Sequence, residues 1–211
     1  GFAQLARKGL DSPDLVIRDI GKIEAASLHA REVVRKLMLF ARQSPQRKVF
    51  TNLNEIIEDG LYFLESRCAK AGIKLVKKLG TDMPEIEVDK SQLYQVLVNL
   101  LVNAIQAMPK GGTITIRTEG HEAGVTFSVA DNGTGIKKDI LEKIFVPFFT
   151  TKDVNEGTGL GLAVVHGIVT SHGGTVNVKS KPGKGTEFVI NLPIKVSEDI
   201  ISDGEDNHEH E

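Results

Sequence analysis

Between residues 14 and 43, apolar residues recur at alternating spacings of four and three, the heptad pattern of a helix that packs against other helices. The seam positions are Val16, Ile20, Ile23, Ser27, Ala30, Val34, Leu37 and Ala41. Residues 1–10 predict only a short helix, which cannot cover a seam of this length. We therefore expect the long helix to pair with a helix outside this sequence or with a second chain, or to pack on the domain that follows.

Beyond a linker at residues 43–45, the pattern alternates between strand and helix periods. Asn52 with Glu55, and Asp89 with Gln92, have the capping-box spacing that opens a helix. The predicted helices are 52–71, 89–108 and 159–171, and the predicted strands are 48–51, 73–79, 85–88, 113–119, 125–130, 175–180 and 186–192. Because helices and strands do not alternate regularly, we predict an α+β fold: a two-layer arrangement in which helices cover one face of a mixed, mostly antiparallel sheet.

Charge supports the same division of the chain. The formal net charge of −2 is the sum of +5 in residues 1–50, 0 in residues 51–196 and −7 in residues 197–211. We predict a partial helical hairpin at 1–45, an α+β domain at 46–195 and an acidic, disordered tail at 196–211. The small net charge therefore does not argue against an anionic ligand, although no nucleic-acid partner is expected.

The lone cysteine, Cys68, excludes a disulfide framework, and we expect it to be a small buried apolar residue. No apolar run approaches the roughly 18 residues of a membrane span, and no leader pattern opens the sequence. These features predict a soluble, cytoplasmic chain, with any membrane attachment left to parts of the parent protein outside this sequence.

Glycines concentrate in the second half of the chain, where 14 of the 21 lie between Gly111 and Gly185. Two loops stand out, at residues 131–135 and 157–161. Glycine lets the backbone approach a ligand and present N–H groups to phosphate, but each loop alone is equally typical of a tight turn. Neither loop fits a P-loop or the dinucleotide fingerprint.

Two side-chain amides make the sequence signal for a binding site more specific. Asn99 and Asn103 lie four residues apart on one face of a predicted helix that is otherwise rich in Leu and Val. A buried amide without a partner costs about 1–3 kcal/mol, and a metal ion with phosphate would satisfy both amides. The segments Asp131–Gly135, Phe145–Lys152 and Gly157–Gly161 follow in that order.

This order of elements resembles the sensor histidine kinases of two-component systems and, more widely, the ATP-binding fold of type II topoisomerases, Hsp90 and the mismatch-repair ATPase. The resemblance covers residues 1–193. It matches the N box at 99–107, the G1 box at 131–135, the F box at 145–152 and the G2 box at 157–162, in a form similar to the nitrogen-regulator kinases. Gly185–Phe188 matches the last family element.

The resemblance implies ATP and Mg²⁺ as cofactors. Asp131 would accept a hydrogen bond from the adenine amine, and Asn103 would bind Mg²⁺ through its side-chain oxygen. Asn99 would hold phosphate or its hydration shell, and Lys152 would be a cation for the phosphates. Gly135–Gly161 would form a lid, and the alternative for Phe148 and Phe149 is that they are plain core anchors for that lid. The implied nucleotide-binding set is Asn99, Asn103, Gln106, Asp131, Gly133, Gly135, Lys152, Gly157, Thr158, Gly159, Leu160, Gly161, Leu162 and Thr186, with Asn99, Asn103 and Lys152 as the catalytic candidates.

The identity of residue 99 also helps to distinguish between the possible activities. Hydrolytic relatives typically carry a Glu at this position as the base, whereas an amide cannot activate water. The resemblance therefore implies transfer of the γ-phosphate to a histidine, for relay to an aspartate of a response-regulator receiver domain, in a homodimer formed by the N-terminal helices. The alternatives are an ATP-hydrolysing clamp or chaperone and a non-catalytic nucleotide-binding dimerisation module.

The acceptor histidine of the family is missing from this sequence. In the family, the motif that contains this histidine lies roughly one to three helical turns before a stretch that Gly1–Ala6 resembles. Because the motif is missing, we expect this chain to bind ATP without phosphorylating itself. We interpret His29 as structural, His121 as a surface residue, and His166 and His172 as packing or capping residues.

Overall fold

The computed structural model describes residues 1–8, 12–41, 47–151 and 158–194. They fall into two compact units, one formed by Gly1–Pro45 with Phe148–Leu160 and the other by Gln46–Pro147 with Gly161–Glu211. The helices are α1 (Phe2–Lys8), α2 (Pro13–Ala41), α3 (Leu53–Lys70), α4 (Lys90–Gln106), α5 (Lys138–Leu141) and α6 (Gly161–Ser171). The strands are β1 (Val49–Asn52), β2 (Ile73–Lys78), β3 (Glu85–Val88), β4 (Gly112–His121), β5 (Gly124–Asp131), β6 (Thr175–Lys181) and β7 (Gly185–Pro193).

The first unit contains the two predicted N-terminal helices. Pro13 is the first residue of α2, a position where its missing N–H costs nothing. The Lys22 ammonium group lies 4.8 Å from the centre of the Phe2 ring, which joins α2 to α1. Ile17 and Ile20 of α2 are 68% and 52% exposed. Helix α1 therefore leaves much of the apolar surface of α2 uncovered.

The second unit is built on a five-stranded sheet of order β2-β4-β5-β7-β6. Strand β2 pairs with β4 in parallel, and the other three pairings are antiparallel. A separate antiparallel pair joins β1 to β3. This mixed, mostly antiparallel sheet confirms the predicted α+β fold class.

The core of this unit lies between the sheet and its helices. Alternate residues of the central strands are buried, as expected for a sheet with one covered face. The largest fully buried side chains come from α3, α4, β3, β4 and β5: Leu53, Ile57, Leu61, Ile86, Leu93, Leu97, Leu100, Leu101, Ile114, Ile116 and Phe127. Cys68 is 2% exposed and belongs to this core, as predicted.

The predicted helix starts are confirmed at α3 and α4. The Asn52 side chain accepts a hydrogen bond from the Asn54 N–H, and Asp89 Oδ1 accepts from the N–H groups of Ser91 and Gln92. In a full capping box, the side chain at position 92 would accept from the Asp89 N–H. That N–H donates instead to the ring of His172.

Most element boundaries differ from the prediction by one or two residues, and three differences have a clear physical reason. Helix α6 begins at Gly161 and not at Gly159, because Gly159 has a φ of +66°, which lies outside the right-handed helical region. The predicted turn at 120–124 is shorter, since Gly120 and His121 still pair with Val125 and Gly124. The four-residue helix α5 was not predicted, because it is too short to display a helical period.

No helix in the described parts of the chain is long and apolar enough to cross a membrane. The acidic tail lies outside the described residues, and the domain boundaries at 45 and 195 stay a prediction.

Candidate functional site

Asp131 is the last residue of β5, where the chain leaves the sheet. Its Oδ1 accepts hydrogen bonds from the Gly133 N–H at 2.8 Å and from the Thr186 N–H at 3.3 Å. Both hydrogen bonds that the described residues make to this carboxylate go to Oδ1, so Oδ2 is available to a ligand. Burial raises the pKa of Asp131, and these two N–H groups oppose the rise.

The loop after Asp131 packs on the C-terminal end of α4. The Thr134 N–H donates to the Ala107 carbonyl at 3.1 Å, and a Cβ at Gly133 would lie 2.5 Å from the same oxygen. Gly135 has a φ of +67°, and a Cβ there would overlap the Lys181 carbonyl. Both glycines are therefore required for close backbone packing within the protein.

Ser180 ties this loop to the start of β7 and was not predicted as a site residue. Its hydroxyl accepts from the Ile136 N–H at 2.8 Å and lies 3.0 Å from the Gly185 carbonyl and 2.9 Å from Thr186 Oγ1. The sequence did carry a signal, because Ser180 occupies the same inward register on β6 as Val176 and Val178. A polar residue at an inward strand position indicates a hydrogen-bonded role.

Asn99 and Asn103 meet the start of α6. A Cβ placed on Gly161 would lie 3.8 Å from Asn99 Oδ1 and 3.9 Å from Asn103 Nδ2. Asn99 Nδ2 is buried and has no hydrogen-bond partner among the described residues. An unpaired buried donor is costly, so this atom is available to an acceptor that none of the described residues provides. The i, i+4 spacing places both amides on the same face, as predicted.

The remaining site candidates are distributed as follows. Gln106 is the last residue of α4 and is exposed, Leu162 packs against the core, and Thr186 is buried. Lys152 and Gly157 lie outside the described residues. The second unit thus joins Asp131, the end of α4, the start of α6 and the start of β7, which are separate segments of the sequence.

Thr158, Gly159 and Leu160 belong to the first unit, together with Phe148. The Phe148 N–H donates to the Gly159 carbonyl at 3.0 Å, and a Cβ at Gly159 would overlap the Phe148 backbone. Phe148 has a φ of +67°, which is uncommon for a bulky residue, and its side chain is 58% exposed. Phe148 is therefore not the core anchor that the sequence left open as an alternative.

The described residues contain no group of three or more His, Cys, Asp or Glu side chains that could hold a metal ion. A cation at this site would need amide oxygens, together with oxygens from the ligand. Asn103 offers an oxygen of the kind that Mg²⁺ prefers. The donor set therefore fits a magnesium ion that arrives with a polyphosphate.

The three histidines whose side chains the structure describes have the surface, packing and capping roles that were predicted. His121 is exposed at the end of β4, and His166 is exposed with its ring 5.4 Å from that of Phe145. His172 is 1% exposed and caps α6. The side chain of His29 lies outside the described part of the chain.

Comparisons with known proteins agree with this geometry. The family model described as "Histidine kinase-, DNA gyrase B-, and HSP90-like ATPase" matches residues 88–196. The chain is 41% identical to the sensor kinase CckA of Brucella abortus over 88% of its length, which is 21% of that protein. It is 42% identical to the sensor histidine kinase ZraS of Escherichia coli over 78% of its length, which is 35% of that protein.

Solved structures share the fold. The catalytic domain of the histidine kinase ThkA superposes with a TM-score of 0.65 at 34% identity, over 72% of this chain and all of that domain. A structure of ThkA in complex with the response regulator TrrA superposes with a TM-score of 0.71 at 27% identity, over 92% of this chain and 56% of that one. The chain belongs to the histidine kinase-, DNA gyrase B- and HSP90-like ATPase family and carries the ATP-binding domain of a two-component sensor kinase.

Proposed function

We propose that this chain is the catalytic region of a sensor histidine kinase, which delivers the γ-phosphate of Mg-ATP to a histidine outside this sequence. The observation that carries the proposal is the buried Nδ2 of Asn99, which lies beside Asn103 and Gly161 and has no hydrogen-bond partner in the part of the chain that the structure describes. A polyphosphate would supply the acceptor that this donor lacks.

Asp131 is the proposed adenine-recognition residue. Oδ1 is held by the N–H groups of Gly133 and Thr186, which orients the carboxylate and leaves Oδ2 to accept a hydrogen bond from the adenine amine. A carboxylate selects adenine over guanine, because guanine presents a carbonyl oxygen where adenine presents the amine. Gly133, Gly135 and Thr186 support this carboxylate through the packing of their backbones.

The phosphate end of the site is proposed to lie at Asn99, Asn103 and Gly161. Asn99 Nδ2 would donate to a phosphate oxygen, and the first N–H groups of α6, including those of Gly161 and Leu162, would face the negative charge. Asn103 would hold the magnesium ion, which supplies neutralisation of phosphate charge when bound. Gln106, Lys152, Gly157, Thr158, Gly159 and Leu160 complete the proposed nucleotide-binding set.

The proposed reaction relies on positioning and charge neutralisation. Asn99 offers an amide where a hydrolytic enzyme needs a base, so water beside the γ-phosphate would not be activated. An imidazole nitrogen needs no such base, because its lone pair attacks phosphorus directly. Among the described residues, His121 contacts Thr126, His166 contacts Phe145 and His172 contacts Asp89 and Ile168, which supports an acceptor other than these three histidines.

The proposed partners follow from the same reaction. A receiver domain would take the phosphate from the histidine, as a response regulator is seen in complex with ThkA. The exposed apolar residues of α2 favour a homodimer in which two copies of this helix contribute to one bundle. We expect the reaction to take place in the cytoplasm, where ATP is present.

The test supplies the chain with γ-labelled ATP, Mg²⁺ and a separate fragment that carries the parent protein's acceptor histidine. Acid-labile label should appear on the fragment and not on this chain. Asn103→Ala should lower the transfer rate at least about tenfold, the equivalent of 1.4 kcal/mol. Phosphate release without an acceptor would indicate a hydrolytic ATPase, and ATP binding without transfer would indicate a nucleotide-sensing module. Either outcome would contradict the proposal.

A further inference from the structure

His172 closes the C-terminal end of α6 and is 1% exposed. The Gly174 N–H donates to the Val169 carbonyl at 2.9 Å, and the Gly173 N–H donates to the Thr170 carbonyl at 2.9 Å. With Gly173 at a φ of +69°, this is a Schellman motif in which His172 is the C-cap residue. The backbone of His172 is thereby fixed by the helix end, and its ring is held in one place.

Two hydrogen bonds define the protonation state of this ring. Nδ1 lies 2.8 Å from the Ile168 carbonyl, which only accepts, so Nδ1 carries the proton. Nε2 lies 3.0 Å from the Asp89 backbone nitrogen, whose N–H only donates, so Nε2 has its lone pair free. The ring is therefore the neutral Nδ1–H tautomer, and protonation of Nε2 would break the bond to Asp89.

The partner of the ring is the N-cap residue of another helix of the site. Asp89 is the N-cap of α4, and its side chain already accepts from Ser91 and Gln92. The bond from its own N–H to His172 joins residues that are 83 positions apart in sequence. It therefore connects the C-terminal end of α6 directly to the N-terminal end of α4.

The two helices run antiparallel, because Asp89 before α4 meets His172 after α6, and Asn99 within α4 lies near Gly161 at the start of α6. At a rise of 1.5 Å per residue, the distance from Asp89 to Asn99 is about 15 Å and the distance from His172 back to Gly161 is about 16 Å. Gly161 accordingly lies beside Asn99 and Asn103. A shift of α6 by one residue would move Gly161 by about 1.5 Å relative to these amides.

We propose that neutral His172 is a positioning residue that fixes the axial register of α6 against α4, and thereby places Gly161 opposite Asn99 and Asn103 for nucleotide binding. This proposal rests on the proposed function for its effect on ATP. The register of α6 against α4 is a property of the free protein, so it can be measured without ATP.

The surroundings of the ring shift the pKa of His172 in opposite directions. Burial is the main cause that lowers the pKa of His172; the Ile168 carbonyl raises it, Lys48 lowers it and the Asp89 carboxylate raises it. Lys48 Nζ also lies 3.5 Å from the Ser171 carbonyl at the same helix end. Because the folded-state pKa lies below the unfolded value, the stability that His172 contributes is complete above the unfolded pKa near 6.5. It is lost as the pH falls toward the folded-state value.

The experiment compares two substitutions that each keep one half of the ring's bonding. His172→Gln places an oxygen near the position of Nε2 and can still accept from the Asp89 N–H. His172→Asn keeps a donor near the position of Nδ1 but has no acceptor that reaches Asp89. His121→Asn, at an exposed site, is the matched control.

ATP affinity is measured by calorimetry at a temperature at which each variant is folded. We expect His172→Asn to bind about tenfold more weakly, the equivalent of one lost hydrogen bond, and His172→Gln and His121→Asn to bind within about threefold of wild type. In ¹H–¹⁵N spectra of the free proteins, the Gly161 amide and the Asn99 side-chain amide should shift in His172→Asn and remain in place in His172→Gln.

At pH values below 6.5, the ATP affinity of the wild type should decrease more steeply with falling pH than that of His172→Gln. The decrease should occur over the range in which ¹⁵N shifts show Nε2 of His172 becoming protonated. These pH profiles test the proposal even if His172→Asn does not fold. Equal affinities of folded His172→Asn and wild type, equal losses in both substitutions, or identical pH profiles would overturn the proposal. A wild-type chain that binds no ATP would count against the proposed function, while the Gly161 and Asn99 spectra would still decide the register.

Discussion

Apolar side chains are buried to very different extents in the two units. In the α+β unit, Leu61, Val96 and Leu101 are each 0% exposed, whereas Ile17 and Ile20 of α2 are 68% and 52% exposed. The α+β unit thus closes its own core, and α2 does not. This difference indicates that the α+β unit buries its core with its own residues, whereas the described part of α2 leaves apolar side chains exposed, as expected for a helix that packs against a further helix.

The largest expected effect contrasts a core leucine with an exposed residue of α2. Leu101→Ala should lower the free energy of unfolding by about 2–5 kcal/mol, because a cavity remains in a packed core. Ile17→Ala should change it by less than about 0.5 kcal/mol. Urea unfolding followed by circular dichroism measures both, and similar midpoints for the two variants would remove the contrast between the units.

The next effect tests whether nucleotide affinity depends on Asp131 of the α+β unit and not on the seam of α2. Asp131→Asn should weaken ATP binding by about 1.5–3 kcal/mol, the scale of a hydrogen bond to a charged group. Asp139→Asn, on the exposed helix α5, is the matched control and should leave the affinity unchanged, as should Ile20→Asp in the seam. Calorimetry on the three variants decides this, and full affinity in Asp131→Asn would refute the adenine assignment.

The smallest expected effect concerns self-association through α2. Ile20 lies in the heptad seam and Ile17 does not, although both are isoleucines on the same helix. Ile20→Asp should weaken dimerisation at least about tenfold, since burial of one such side chain contributes about 1.5–3 kcal/mol. Sedimentation equilibrium provides the dimer dissociation constants. If Ile17→Asp disrupts the dimer equally, the heptad seam is not the interface.

Much of the fold was predictable because its signals are local. The caps at Asn52 and Asp89, the strand that ends at Asp131 and the stop at Gly72 each depend on residues within a few positions of one another. The start of α6 was placed two residues early. The sequence does not reveal that Gly159 adopts a positive φ, because that conformation depends on its close approach to Phe148.

The site was predictable in its residue types and not in its supporting contacts. Asn99, Asn103 and Asp131 stood out as polar groups at the ends or faces of apolar segments. Ser180 showed only as a polar residue at an inward strand position, and His172 was predicted only as a packing or capping residue. Their partners were not predictable, because the hydrogen bonds to Ile136 and Asp89 join segments 44 and 83 residues apart. Pairings over such distances depend on how strands and helices stack, which a local pattern does not encode.

Periodicity and chemistry at short spacing were enough to predict the α+β fold class, the helix caps, the acidic residue at the end of β5 and the amide pair on α4. Three features of the site depend on tertiary packing. The Asp131 loop rests on Ala107, Asn99 Nδ2 has no hydrogen-bond partner among the described residues, and His172 joins α6 to α4. Hydrogen-bond satisfaction in a buried site depends on which distant segments pack together, and a local sequence pattern does not encode that packing.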